Sequence, residues 1–508
     1  MGADYLGWSS DGSGVWWAIG NTFHSRPLDS LSFEADDAAS EEAVADADDD
    51  VSDRFFPEDE HPAVTAVDMD VVMPRSMPTG ALLLERVNLI SMVGESTRAM
   101  AEVRKSQDIL IVDNRIHTIG DHGTLPVPNG ATRRDLNNKF VVPGFIDTHA
   151  HWEFRTSDVL EPHNWSLVAN VAYGVTTGLD VQTATNDYLA YRDFVETGQS
   201  IGQRAFMTAR GVFGDTDFQS YDEAYAYLRR YSEHYHTNNI KSYVVGNRQQ
   251  RQWVVQASQA LGLMPTTEGA ADQKMGITHA IDGMHGHEHN LPDSPIFKDV
   301  VELFAKTKTA YTPTLVVQYN APTLVDYFFT RTDVRDDEKL RRFYPSNRLD
   351  ELTLRRSSWY RDNEFDFEQG AAQVAKIQRA GGLVGVGGHA ELQGLGYHWE
   401  MWAYAMGGMT PVEVLRAATI DGARIIGVEQ DLGSIEVGKL ADMVVLNSNP
   451  LDDIRNTVDI DSVLINGRLY NGDTMDQEWP DRVPLPDFWW WDEDDIRFST
   501  KPVTAGAG

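Results

Sequence analysis

Apolar and polar residues alternate in a different way in three successive parts of the chain. From Thr79, the segments ALLLERVNLISM, DILIVDNRIHTIG and RRDLNNKFVVPG are short apolar runs bounded by turns, as in the strands of a small β-sandwich. From Phe145 to about Arg424, strand-like runs such as GVTTGLD and AYTPTLVV alternate with amphipathic stretches such as residues 249–261. In residues 433–470 the short-strand pattern returns.

The middle part predicts an α/β fold. Strands that alternate with helices favour βαβ units and a parallel sheet, and about 280 residues of this pattern is the usual size of a (β/α)8 barrel. We therefore expect a TIM barrel over residues 141–431. A composite β-sandwich, assembled from residues 76–140 and 432–475, should flank it.

The two ends of the chain have textures of their own. Residues 1–30 include YLGWSSDGSGVWWAIGNTF, which predicts a β-hairpin and resembles one repeat of a TolB-like propeller. A lone hairpin cannot bury its own face, so it either leans on the barrel or is the remnant of a propeller. Residues 31–75 are acidic and predict a disordered linker. Residues 476–508 form an acidic tail whose tryptophans, at 489–491, are expected to pack.

Composition excludes several classes of function. The 77 acidic residues outnumber 43 basic ones, for a net charge of -34, and such a surface repels nucleic acid and anionic membranes. It favours a halophilic source. The absence of cysteine excludes disulfides and thiolate ligands. Without a signal peptide or an apolar run long enough to span a membrane, a cytoplasmic location is expected, with export left open. The expected partner is a small-molecule substrate, with a homo-oligomer also open.

Two histidines end the first strand of the predicted barrel, in VVPGFIDTHAHWEF at 141–154. His149 and His151 stand at positions i and i+2, so their side chains share one face of the strand. They could therefore ligate one metal ion. The alternative is a pair of core histidines, because short histidine motifs also arise by chance.

Several motifs in order resemble the metal-dependent amidohydrolase superfamily. They are VVPGFIDTHAH at 141–151, YGVTT at 173–177, EH at 288–289, and AATIDGARIIGV with GSIEVGKLADMVVLNSNPL at 417–451. The resemblance covers roughly residues 80–470. Within the superfamily it is greatest to imidazolonepropionase-like and prolidase-like members, in the branch related to enzymes fused to TolB-like propellers.

The resemblance implies one or two divalent ions, with zinc expected first and iron or manganese as alternatives. The implied ligands are His149, His151, Lys241, Glu268, His289 and His389. Lys241 stands where relatives often carry a carboxylated lysine that bridges two ions; a salt-bridged strand lysine is the alternative. Glu268 stands where many relatives have histidine, and a carboxylate can ligate or bridge equally well. Its alternative is a helix cap.

The eighth strand departs from the family pattern. In LVGVGGHAELQG, His389 replaces the usual aspartate, which serves relatives as a ligand and proton acceptor. His389 and Lys241 are the predicted catalytic residues. His389, as an imidazole with an ordinary pKa near 6.5, could accept the proton of the attacking water. Glu391 or Glu400 could accept that proton instead. Arg248, His398 and Glu400 are the predicted substrate-binding residues.

These residues together predict an amidohydrolase. A metal-activated hydroxide would cleave the C–N bond of an amide, a cyclic amide or a dipeptide. Two alternatives stay open. The missing aspartate is compatible with a non-catalytic binding or scaffold protein, and other members of the superfamily are deaminases or lactonases.

Overall fold

A four-stranded antiparallel sheet stands at the N-terminus of the computed structural model. The model describes residues 4–31, 62–94, 96–153, 160–183, 188–213, 216–269, 271–319, 322–354 and 359–491. The strands, in sheet order, are β1 (Tyr5–Trp8), β2 (Gly14–Ile19), β3 (Thr22–Pro27) and β4 (Thr65–Asp68). β4 lies inside the predicted 31–75 linker, so the expectation of disorder is wrong there; residues 32–61 lie outside the described residues. The Tyr235 hydroxyl donates to Asp4, which ties this sheet to the rest of the protein.

Five strands precede the predicted barrel. They are β5 (Ala81–Leu89), β6 (Arg104–Val112), β7 (Arg115–Asp121), β8 (Thr132–Asp135) and β9 (Phe140–Pro143), with the short helix α1 (Thr97–Met100) between β5 and β6. β5 to β7 pair antiparallel, whereas β8 and β9 run parallel to β5. The alternation LLL-x-x-V-x-L in β5 buries its apolar side chains, in agreement with a strand that covers a core.

A parallel sheet follows, as the alternating pattern predicts. Its strands are β10 (Phe145–Ala150), β11 (Val175–Asp180), β12 (Arg204–Met207), β13 (Val212–Phe213), β14 (Asn239–Tyr243), β15 (Met264–Glu268), β16 (Gly286–Glu288) and β17 (Ala310–Thr312). Residues 384–389, named the eighth segment because they lie in the predicted eighth strand of the barrel, bridge β17 through Tyr311 and Val384, and β10 through Ala150 and His389. Parallel pairing thus runs from β13 through this segment to β12, the order expected of an α/β barrel.

Helices connect these strands and cover their outer side. They are α2 (Trp165–Ala172), α3 (Leu189–Glu196), α4 (Tyr221–Glu233), α5 (Arg248–Leu261), α6 (Gln273–Asp282), α7 (Lys298–Thr307), α8 (Leu324–Phe329), α9 (Glu338–Phe343), α10 (Ser346–Leu354), α11 (Phe367–Arg379), α12 (Leu395–Met406), α13 (Pro411–Arg416) and α14 (Gly422–Ile426). Local sequence sets their ends: Asn247 and Gln250 form a capping box at the start of α5, and Gly262 ends it at φ 67°. No helix in the described ranges has the length and apolar character to cross a membrane.

The last strands return to the sheet that precedes the barrel. β18 (Met443–Leu446) pairs antiparallel with β9, and β19 (Ile460–Ile465), β20 (Arg468–Asn471) and β21 (Gln477–Trp479) extend it to nine strands. Residues before and after the barrel therefore build one sheet. One face buries Val141 and Val445 in a core of its own, and the other packs Val142 and Val444 against the barrel helices.

The C-terminal tryptophans pack as the sequence predicts. Trp490 stacks on Phe488 with ring centroids 4.2 Å apart. Trp491 donates its indole N–H to the Arg342 carbonyl at 2.7 Å, and Trp489 donates to Glu161 at 3.1 Å. The acidic residues that follow, 492–508, lie outside the described residues.

Candidate metal centre

Two neighbouring strands bring three histidines together. His149 and His151 end β10, and His389 ends the segment 384–389 beside it. The backbone N–H of His389 donates to the His149 carbonyl at 2.8 Å, and the backbone N–H of His151 donates to the His389 carbonyl at 2.7 Å. Backbone hydrogen bonds therefore fix the spacing of the three side chains.

The three imidazoles surround one point. Nε2 of His149 lies 3.3 Å from Nε2 of His151, and the His151 and His389 rings are 4.7 Å apart. One nitrogen of each ring lies within 4.8 Å of the others. Three imidazole nitrogens this close together could hold a metal ion.

A carboxylate lies behind each of these three rings, on the Nδ1 side. Glu288 faces His149 at 2.7 Å, Asp180 faces His151 at 3.6 Å, and Glu391 faces His389 at 3.5 Å. At His149, where this contact is a hydrogen bond, the carboxylate places the ring proton on Nδ1 and leaves the Nε2 lone pair for a metal ion. The contacts of His151 and His389 with their carboxylates are longer. The donor set thus fits a divalent cation in ligand type.

The other three predicted ligands lie next to this group. Lys241 on β14 and Glu268 on β15 form a buried ion pair, with 3.1 Å between Nζ and Oε2. The same oxygen of Glu268 lies 3.2 Å from Nε2 of His289, which follows β16. The His149 and His289 rings are 4.8 Å apart. All six predicted ligands are therefore brought to one end of the parallel strands.

Burial sets the protonation of the site. Burial, with the charges of the neighbouring cationic groups, lowers the pKa of His149 well below its usual value, and burial lowers the pKa of His389 to about 4. Both rings are therefore neutral at pH 7, the form that ligates metals. Burial would raise the pKa of Glu268, but the hydrogen bond from His289 and the charge of Lys241 outweigh burial and lower it. Glu268 is thus ionised.

Two buried carboxyl groups support the ligands. Burial raises the pKa of Asp147 and of Glu288 to about 7. Asp147 accepts the N–H groups of His149 at 2.9 Å and Gly388 at 3.1 Å, so it joins β10 to the eighth segment. A divalent cation at His149 would stabilise the ionised form of Glu288 and strengthen its contact with Nδ1.

Two histidines of the site have a strained backbone conformation. His289 and His389 have φ of 66° and 59°, in the left-handed region that residues with a Cβ rarely adopt. Such a conformation costs about 1–3 kcal/mol per residue and persists only where the surroundings enforce it. Both histidines are held by backbone hydrogen bonds, since the His289 N–H donates to Thr312 at 2.8 Å.

Each of the three predicted substrate-binding residues contacts another part of the fold. His398 is fully buried between Thr457 at 2.9 Å and the Tyr173 carbonyl at 2.8 Å. Glu400 is also fully buried.

Glu400 and Arg248 have structural partners of their own. Glu400 accepts the backbone N–H groups of Leu315 at 2.8 Å and Val316 at 3.0 Å, and burial raises its pKa to about 8. It cannot accept a proton from water at the site. Arg248 makes a two-pronged ion pair with Asp282, through Nε at 2.9 Å and Nη2 at 2.7 Å.

Several residues at the site were missed by sequence reasoning. Glu288 belongs to the EH motif at 288–289, of which only His289 was predicted as a ligand. Asp180 is the last residue of β11, and His149 is the last but one of β10. Tyr319 lies beside His289 with rings 5.3 Å apart, and Glu153 pairs with Arg348 at 2.7 Å. A polar residue at the end of a barrel strand was the signal available for Asp180 and Glu288.

Comparison with known proteins identifies a family match in the C-terminal part of the chain. Residues 389–470 match the model of the amidohydrolase family, which confirms the resemblance to the metal-dependent amidohydrolase superfamily. A stretch of 41 residues is 56% identical to imidazolonepropionase from Symbiobacterium thermophilum. That stretch covers 8% of this chain and only 10% of that protein's length.

Solved structures are similar over most of the chain. A Xaa-Pro dipeptidase with methionine bound in its active site has a TM-score of 0.58 at 20% identity, covering 77% of this chain and 100% of that one. Molinate hydrolase has a TM-score of 0.60 at 16% identity, covering 78% of this chain and 95% of that one. At such identities the likeness shows the fold alone.

Proposed function

Starting from the likeness to metal-dependent amidohydrolases, we propose that this protein is a hydrolase that cleaves the C–N bond of a small amide, cyclic amide or dipeptide. The observation that carries the proposal is the group of three imidazoles, His149, His151 and His389, each backed by a carboxylate on the Nδ1 side. A binding protein with no bound ion would gain nothing from three imidazole rings brought this close together.

The chain's own residues have definite roles in this reaction. His149, His151 and His389 would hold the ion, which would supply a water molecule of lowered pKa and polarise the substrate carbonyl. His389 stands in the place of the aspartate found in relatives and contacts Glu391. With Nε2 of His389 used for the ion, the carboxylate of Glu391, which lies 3.5 Å from Nδ1 of His389, takes the proton from water and returns it to the leaving nitrogen. Glu400, an earlier candidate for this role, is held by backbone N–H groups.

Aromatic side chains form one side of the site. Tyr319 packs beside His289, and Tyr243 lies under the ammonium group of Lys241, 5.6 Å from the ring centroid. Stacking on these rings would orient a planar amide. Arg248 forms an ion pair with Asp282, so we expect another group to bind a carboxylate of the substrate.

The test combines ion content with turnover. Full-length protein without a histidine tag is purified without chelators, analysed by elemental mass spectrometry, and assayed on cyclic amides, acyl amino acids and dipeptides. We expect bound zinc, iron or manganese and activity on at least one class. His149→Ala should lose both, whereas the matched control His117→Ala, at an exposed position of β7, should keep both. A folded protein that takes up no ion would overturn the proposal in favour of a scaffold role.

A further inference from the structure

A cavity of about 370 Å³ lies between the barrel, the nine-stranded sheet and the C-terminal segment. Its walls come from residues between 195 and 202, from β19 and β20, and from residues between 481 and 486. Residues 198–202 precede β12, at the amino end of the parallel strands, whereas the histidines of the metal centre lie at the carboxyl end. The volume lies in the range of about 300–1,000 Å³ that is usual for small-molecule sites. This cavity is therefore a second candidate site, separate from the metal centre.

Arg468 brings a positive charge to this cavity. Its Nη2 donates to the Ser76 hydroxyl at 2.8 Å, and its Nη1 donates to the side-chain oxygen of Gln477 at 3.3 Å. Both acceptors are neutral, and no carboxylate is paired with Arg468 among the described residues. In a chain with 77 acidic and 43 basic residues, arginines such as Arg204 and Arg348 pair with carboxylates at 2.7 Å. Arg468 therefore keeps an unneutralised charge, and further N–H groups of its guanidinium fork, for a ligand.

The hydroxyl of Tyr470 lies near the same charge. Burial raises the pKa of Tyr470, and the positive charge of Arg468 opposes that rise only in part. The phenol is therefore protonated at neutral pH and can donate. Within the described ranges its hydroxyl has no hydrogen-bond partner, although a buried tyrosine hydroxyl usually finds one. Together the two side chains supply donors for an anionic oxygen.

The other walls of the cavity are largely apolar. Val195 and Ile201 line it on the barrel side, and Val483, which is 49% exposed, lines it on the C-terminal side. Asp481 also lines the cavity, and the chain as a whole carries a net charge of -34. These negative charges would oppose a ligand with two charges, whereas Arg468 balances a single one. The lining thus favours one carboxylate attached to an apolar body.

We propose that this cavity binds a small monocarboxylate with an apolar body. The carboxylate accepts from the guanidinium group of Arg468 and from the hydroxyl of Tyr470. The apolar part lies against Val195, Ile201 and Val483, where its removal from water contributes to affinity. The site is independent of the proposed hydrolase reaction, because none of the predicted metal ligands lines it.

Calorimetric titration of the full-length protein with heptanoate and with phenylacetate tests the site. We expect saturable binding of one carboxylate per chain and no saturable binding of heptanol, which has the same apolar body without the charge. Protein treated with EDTA should bind the carboxylates as untreated protein does. Lack of saturable binding at millimolar concentrations would overturn the proposal. Binding that EDTA treatment abolishes would also overturn it, because the carboxylate would then lie on a metal ion.

Substitutions at the cavity place the carboxylate. Arg468→Gln should weaken heptanoate binding by about tenfold or more, because a hydrogen bond to a charged group is lost. Arg335→Gln, which removes the arginine of an exposed ion pair with Asp350, is the matched control and should bind as the wild type does. At the exposed position 483, Val483→Asp adds a negative charge and should bind more weakly than the neutral Val483→Asn. Undiminished affinity in Arg468→Gln, or equal affinities in the two variants of Val483, would overturn the proposal.

Discussion

At the scale of single residues, the orientation of an imidazole is set by what its second nitrogen meets. His149 shows this in its shortest contact, Nδ1 to Glu288 at 2.7 Å, with Thr266 donating to the other oxygen of Glu288. The ring cannot turn without breaking that contact. The carboxylate therefore controls the direction of Nε2 without touching the ion.

Glu288→Ala tests this control. Outer partners of metal-bound histidines typically contribute about 10–100-fold in metal affinity. We expect a loss in that range by chelator competition, with a smaller loss in Glu288→Gln, whose amide oxygen still accepts from Nδ1–H. Glu302→Ala, which removes a surface carboxylate paired with lysines on α7, is the matched control. Equal zinc affinity in wild type and Glu288→Ala would contradict the role.

His398 predicts a pH dependence of stability. Burial lowers its pKa to about 4, whereas an unfolded histidine titrates near 6.5. Below about pH 6.5 His398 binds a proton in the unfolded chain, whereas in the folded chain it stays neutral down to about pH 4. The free energy of unfolding therefore falls as the pH falls through this window, by about 1.4 kcal/mol per pH unit for this one group.

His398→Gln should remove that contribution. The variant keeps a donor for the Tyr173 carbonyl, and denaturant unfolding at several pH values between 4 and 7 should show a shallower slope than wild type. The exposed His117→Gln should leave the slope unchanged. An unaltered slope in His398→Gln would show that His398 is not a neutral group of the folded core.

The site residues that could be predicted from the sequence differ physically from those that could not. His149, His151 and His389 were recognisable because each ends an apolar strand or lies in a family motif, and strand ends converge. His398 and Glu400 were misplaced because their direction depends on how α12 is rotated against the barrel. No local pattern states that rotation. The partner of a buried carboxylate, as for Glu288, is likewise a property of neighbouring strands.

At the scale of elements, the eighth segment and β10 are in very close contact. A Cβ at Gly387 would lie 2.7 Å from Cβ of His149 and 2.8 Å from the methyl groups of Thr312 and Thr314. Only a residue without a side chain lets these strands approach this closely. The glycines of VGVGG thus serve strand packing, and they position His389.

Gly387→Ala should therefore disturb the site more than the fold. Overpacking of this kind typically costs about 1–3 kcal/mol, and here relief requires movement of His149 or of the eighth segment. We expect at least a tenfold loss in zinc affinity with only a modest fall in melting temperature. Gly396→Ala, on α12 and 3.2 Å from a Leu392 side-chain carbon, is the control. Unchanged affinity would mean that the strands separate freely.

Element types were predictable over most of the chain, but some boundaries were not. The alternation of strands and helices predicted the parallel sheet because this pattern repeats over a long part of the chain. β4, with sequence TAVD, is short and exposed along its whole length, and it is a strand only because β3 pairs with it. Local composition therefore suggested a linker where tertiary pairing produces a strand.

At the scale of the whole molecule, the charge of -34 predicts a response to salt. Repulsion among surface carboxylates opposes the compact state, and the screening length falls from about 10 Å at 0.1 M to about 3 Å at 1 M salt. We expect the melting temperature to rise between these concentrations of KCl. Choline chloride should produce a similar rise, because screening depends on ionic strength. A constant or falling melting temperature would contradict the halophilic interpretation.

The contact between the first and last strands of the parallel sheet also has a consequence for biosynthesis. The Asp147 carboxylate accepts the N–H of Gly388, 241 residues later in the chain, and the third imidazole follows directly. Since the N-terminal part of the chain is synthesised first, His149 and His151 leave the ribosome long before His389 has been added. Under the proposed function, stable loading of an ion would be a late event, because a chain truncated before residue 389 lacks the third imidazole.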